Sequence, residues 1–102
     1  MIQHIVCFKL KDCTPQKAQE ARDLLLTMKG RVPEVIDLFA GVDFLHSERS
    51  YDVILEVTVK DRDALDRYQK DSYHCGIIKP HMHAVREASV VVDVEIPDSV
   101  KD

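Results

Sequence analysis

Residues 51–60 read YDVILEVTVK. Val53, Leu55, Val57 and Val59 alternate with Ile54, Glu56 and Thr58. A two-residue period rich in β-branched types marks a strand with two distinct faces. Downstream, Asp61-Arg62-Asp63 supplies a cap and an acidic first turn, which predicts a helix near 61–71 with Ala64, Leu65 and Tyr68 on its inner stripe. The segment 73–86 carries Ile77, Ile78, Met82 and Val85 at helical spacing. Pro80 removes a donor there and disfavours helical backbone at Lys79, so a break or restart is expected. Residues 87–96 (EASVVVDVEI) form the last strand, and the tail from Pro97 is expected to fray.

Upstream of the same strand, LHSERS (45–50) is a loop and IDLFAGVDF (36–44) a strand, in which Gly41 marks a bulge or a close backbone approach. Val32-Pro33-Glu34-Val35 is a turn. Thr14-Pro15 opens a helix, with Thr as cap and Pro at the first helical position. Its stripe runs through Ala18, Ala21, Leu25 and Met28, widened by Leu24, and Gly30 stands where the chain leaves the helix. Residues 2–10 (IQHIVCFKL) are the first strand. It points His4, Val6, Phe8 and Leu10 one way and Ile5, Cys7 and Lys9 the other.

The order β-α-β-β-α-β is the split βαβ of a ferredoxin-like α+β fold, expected as a single domain over residues 1–102. It predicts a four-stranded antiparallel sheet with helices on one face. The opposite face would show Ile5, Cys7, Ile54 and part of the valine-rich last strand. So much apolar surface marks an interface, and a two-fold pairing of sheets covers it with one surface used twice. A homodimer is therefore expected.

Composition narrows the function classes. The 102 residues are 45% hydrophobic and 31% charged, with a net charge of −4. An acidic chain lacks the electrostatic footprint of a nucleic-acid binder. No apolar run approaches the ~20 residues that span a bilayer, and no basic leader pattern opens the chain. Neither nucleic acid nor membrane is an expected partner. Cys7, Cys13 and Cys75 are odd in number and include no C-x-x-C, which argues against a disulfide framework and a structural zinc site. Reduced thiols and a cytoplasmic location are the simple reading. Cys7 reads as a small buried hydrophobe. Cys75 would be reactive only if a helix start or His74 lowered its pKa.

The set His4-Ile-Val-Cys-Phe-Lys-Leu10, Val32-Pro33, Gly41, Tyr51-Asp-Val-Ile-Leu-Glu-Val57, Ala64-Leu-x-x-Tyr68, His74 and Val92-Asp93 resembles the stress-responsive A/B-barrel (Dabb) family over nearly the whole chain. The resemblance implies that two chains pair their sheets into a barrel. That family includes a plant polyketide cyclase and also stable oligomers with no known reaction. In the cyclase a Tyr and a His spaced like Tyr68 and His74 are the acid–base pair, and a His matching His4 lines the cavity. This chain departs from the cyclase at Val53, where it has His, and at Asp71-Ser72, where it has His-Pro.

Tyr68 and His74 would sit about 240° apart on one unbroken helix. They converge only if the chain turns near Asp71-Ser72, and both residue types favour caps and turns. Joined by His4, they would offer two imidazoles and a phenol, with Val6, Phe8, Val53 and Leu55 as the expected apolar lining. Such a set suits a small apolar or carbonyl-containing ligand, or proton abstraction beside a carbonyl with the phenol stabilising an enolate oxygen. The plainer reading makes Tyr68 and His4 core residues of a structural or stress-protective oligomer. His81 and His83, with His74 and Cys75, invite a metal site. Without an acidic third ligand fixed by spacing, surface histidines are the simpler account, and no metal or cofactor is expected. Haem-degrading and quinol monooxygenases share the dimeric ferredoxin-like shape, but no haem-ligand motif stands here.

Overall fold

The computed structural model describes residues 1–97. The tail after Pro97, expected to fray, lies outside the described residues. Four strands, β1 (Ile2–Leu10), β2 (Asp37–Val42), β3 (Val53–Val59) and β4 (Arg86–Glu95), form one antiparallel sheet in the order β2-β3-β1-β4. The first and last strands meet the expectation to within a residue. The two middle strands are shorter than 36–44 and 51–60, and Asp52 supplies the reason. Its carboxylate accepts from the Leu10 N–H at 2.8 Å, while its own N–H donates to the Phe8 carbonyl. The ladder there is closed by a side chain, and Phe44 and Leu45 run out into solvent.

The helices cover one face. In α1 (Pro15–Leu26) Pro15 opens the first turn and Thr14 Oγ1 accepts from the Lys17 N–H at 3.1 Å. The helix stops at Leu26. Gly30 takes a left-handed φ of +83° four residues later, and the N–H groups of Arg31 and Val32 both return to the Met28 carbonyl. That extra turn keeps Met28 in the core. In α2 (Arg62–Lys70) the Asp61 carboxylate accepts from the Ala64 N–H at 2.8 Å. A π-helical turn (His74–Ile78) then leads into α3 (Lys79–Val85). The restart expected near Pro80 is therefore real, and it takes an unexpected form. Lys79 keeps helical backbone, and Pro80 falls in the first turn of α3, where its missing N–H leaves no gap in the ladder.

β1 and β3 alternate strictly. Ile2, His4, Val6, Phe8 and Leu10 are buried with Val53, Leu55, Val57 and Val59, and the residues between them are half-exposed. α1 packs on β2 and β3, and α2 on β1 and β3. The resulting core holds Leu25, Met28, Val32, Tyr68, Ile78 and Met82. On the far face Phe39, Val90, Val92 and Val94 remain exposed. Register sets Cys7 against Ile54 and Val90, and Ile5 against Glu56 and Val92. Cys7 is therefore half-buried on that face rather than in the core, and burial followed by the Glu56 charge pushes its thiol pKa up.

Candidate functional site

The site begins at the end of α2. Asp71 adopts extended backbone (φ −61°, ψ 139°), which stops the helix, and its carboxylate accepts from the N–H groups of Tyr73 and His74 at 2.8 and 3.2 Å. One aspartate thus ends one helix and starts the next, as a short polar side chain at a turn can. The reversal carries His74 back over Tyr68. Their rings stack with centroids 4.5 Å apart at 24°, and the ring of His4 meets the other side of the group edge-on at 5.7 Å from Tyr68. Of the three residues that the sequence singled out for chemistry, Tyr68 touches both of the others.

A cavity of about 260 Å³ opens beside them between β1, β4 and the α2–α3 connection. Its apolar walls are Val6, Phe8, Leu55, Ile78, Met82 and Val91, and Gln69, Lys79, His83, Arg86 and Ser89 also line it. Of the expected lining, Val6, Phe8 and Leu55 are present. Val53 is not: it lies further along β3, fully buried, and borders a different depression near Phe39 and Phe44. A larger, more open depression near Met1, Lys60 and Glu95 gathers no comparable set of aromatic and imidazole groups.

Electrostatics distinguish the three rings. His4 Nδ1 lies 2.5 Å from Asp93 Oδ1, across the β1–β4 ladder where positions 4 and 93 are register partners. A carboxylate can only accept there, so in the neutral ring the proton would sit on Nδ1 and Nε2 would be the acceptor nitrogen. His74 has no such partner. Its Nδ1 is buried without a hydrogen bond, and the residue is only 7% exposed. Burial, followed by the nearby Lys79 ammonium, lowers its pKa to about 4, so it is neutral near pH 7. Burial and the Asp71 charge raise the Tyr68 pKa, which keeps the phenol a proton donor. That hydroxyl meets only the Met28 sulfur, at 3.7 Å. A thioether is a weak acceptor, so the group has unused donor capacity. The arrangement offers a neutral imidazole, an oriented imidazole and a protonated phenol beside an apolar wall.

Asp93 is the site residue that sequence reasoning left without a role. Its signal was an acid in a run of valines, at an inward position once β1 and β4 are registered. The other histidines do not join a metal centre. His81 is half-buried and His83 stands at the cavity mouth, while Cys75 is exposed. Among the described residues no three His, Cys, Asp or Glu side chains gather as a metal ion requires. No helix among them is long and apolar enough to cross a membrane.

Comparison with known proteins places this geometry. The family model of the Stress responsive A/B Barrel Domain matches residues 2–96. A dimeric ferredoxin-like protein of unknown function from Thermobifida fusca superposes with a TM-score of 0.81 at 21% identity, covering 93% of this chain and 90% of its own. A dimeric ferredoxin-like protein from Bacteroides fragilis gives 0.79 at 18% identity, with 93% and 95% covered. The hydroxynitrile lyase of Passiflora edulis gives 0.79 at 15% identity, with 98% and 96% covered. At these identities the likeness concerns the fold. No curated protein matches the chain at the level of sequence.

Proposed function

Because this chain belongs to the stress-responsive A/B-barrel family, we propose that it works as a homodimeric single-domain protein that binds a small apolar or carbonyl-containing molecule in the cavity beside His4, Tyr68 and His74. The observation that carries this reading is the contact of those three rings at the wall of a cavity otherwise lined by Val6, Phe8, Leu55, Met82 and Val91. Buried polar groups without partners cost about 1–3 kcal/mol each, so an imidazole whose Nδ1 lacks a partner and a phenol facing only sulfur suit a guest that supplies an acceptor or donor. A concave apolar site with a few convergent polar groups is the usual form of a small-molecule site.

The dimer rests on the far face of the sheet. Phe39 is 54% exposed and Val92 is 55% exposed in the single chain, beside Ile54 and Cys7. Two such faces pressed together remove that surface from water, and the solved proteins from Thermobifida fusca and Bacteroides fragilis are described as dimeric.

The neutral probe 2-acetonaphthone tests the binding reading by calorimetric titration. Saturable binding that weakens at least about tenfold in Tyr68→Phe or His74→Ala supports it. Equal affinity in wild type and both variants removes these residues from the site.

The His4–Asp93 pair favours a second reading, slow acid–base chemistry on a carbonyl compound. His4 Nε2 would take a proton from the carbon next to the carbonyl, and Tyr68 would donate a hydrogen bond to the enolate oxygen. Deuterium entering the methyl group of 2-acetonaphthone in D2O, faster than in buffer and abolished by His4→Gln, supports it. Exchange at the buffer rate contradicts it.

A further inference from the structure

Basic side chains outnumber acidic ones around the cavity. The chain has 18 acidic and 14 basic residues, yet Lys79, His83 and Arg86 all border this opening. Surface Arg67 and Arg62 are tied to Glu34 and Glu95 in ion pairs. Arg86 and Lys79 have no carboxylate partner among the described residues. Lys79 Nζ instead donates to the backbone carbonyl of Gln69 at 3.2 Å, which holds the ammonium at the rim and leaves its charge uncompensated. Arg86 stands where α3 gives way to β4, one residue before the irregularity that separates the Lys9–Ala88 and Leu10–Arg86 pairs.

The acid that faces the same space is Asp93, and it is engaged by His4. Two permanent cations against one carboxylate leave the opening with an excess of about one positive charge. A guanidinium offers a planar fork that fits a carboxylate in two parallel hydrogen bonds. The same cavity is lined by the apolar Val91 and Met82. Val91 is 51% exposed although it points toward the helix layer, so its surface is available to a guest.

We infer that the guest of this cavity is a small amphipathic carboxylate, its charged end held by Arg86 and Lys79 at the mouth and its apolar body against Val91 and Met82. This rests on the binding reading above and adds the charge of the ligand.

The test pairs two planar molecules of nearly equal shape, 2-naphthoate and the neutral 2-acetonaphthone, titrated calorimetrically into wild type, Arg86→Gln and Lys79→Gln. Naphthoate is expected to bind at least about tenfold tighter than the ketone, the scale of one charge-assisted hydrogen bond. Each variant should narrow that ratio by weakening naphthoate alone, and added salt should do the same. A ketone that binds as tightly as naphthoate overturns the inference and leaves the cavity reading standing. So does naphthoate binding unchanged in both variants, each confirmed folded by circular dichroism. If neither molecule binds, both readings fall.

Discussion

The helix-covered face of the sheet has two halves that are built differently. Over β2 and β3 it is dry: Leu25, Met28, Val57 and Val59 are 0% exposed beneath α1. Over β1 and β4 the same face holds His4, Asp93, Tyr68 and His74, a cavity, and a valine still half open to water. In the first half each side chain fills space left by another. In the second, polar groups stand where packing alone would have put leucine. The contrast locates function, because a protein that gives up apolar burial within one continuous layer uses the space for something else.

The largest effect that can break this contrast is in the dry half. Leu25→Ala leaves a void with no room to collapse and should cost about 2–5 kcal/mol in urea unfolding. A loss well under 1 kcal/mol would mean that the α1 half is no better packed than the other. In the cavity half the sign should reverse. His74→Phe keeps the ring stack on Tyr68 and removes the orphaned Nδ1, so stability should hold or rise by up to about 1–3 kcal/mol while 2-acetonaphthone binding falls. A large destabilisation would make His74 a structural residue.

The pH dependence sharpens the same point. An unfolded histidine titrates near 6.5, and folded His74 near 4. The unfolded chain therefore takes up this proton first. Stability should be full above pH 6.5 and fall as pH drops toward 4, with a slope of at most about 1.4 kcal/mol per pH unit from this group. Comparing wild type with His74→Phe isolates it, and an identical pH profile in the two would show that the imidazole is not held neutral by burial. The smallest change is Tyr68→Phe. Its hydroxyl gives up only a sulfur contact, so unfolding should shift by less than about 1 kcal/mol in either direction.

The fold was legible because alternation is a local signal. YDVILEVTVK and IQHIVCFKL each state their own faces, and Thr14 and Asp61 mark where the chain enters helices. The strand ends near Phe44 and Tyr51 were not legible, since Asp52 closes that end through contacts with residues 8 and 10, far away in sequence. The form of the α2–α3 connection was hidden for a related reason. Pro80 announces a disturbance, but the π-helical turn lies before it, over His74–Ile78, and buries His74 and Ile78. At the site, Tyr68 and His74 could be paired from the turn-forming Asp71-Ser72 between them. Asp93 needs the β1–β4 register, and the cationic mouth needs the start of α3 placed beside Gln69. Val53 was assigned to the lining from its strand face and from the cavity position it matches in the resembling family, and position along the strand put it elsewhere.

The central claim is that the half-filled end of the helix-covered face receives a guest. Intermolecular nuclear Overhauser contacts from 2-acetonaphthone to the protein test it most directly. The account predicts contacts to the Met82 and Val91 methyl groups and to the ring protons of His74 in the same complex. Contacts confined to Ile54 and Val92 on the opposite face of the sheet would contradict it.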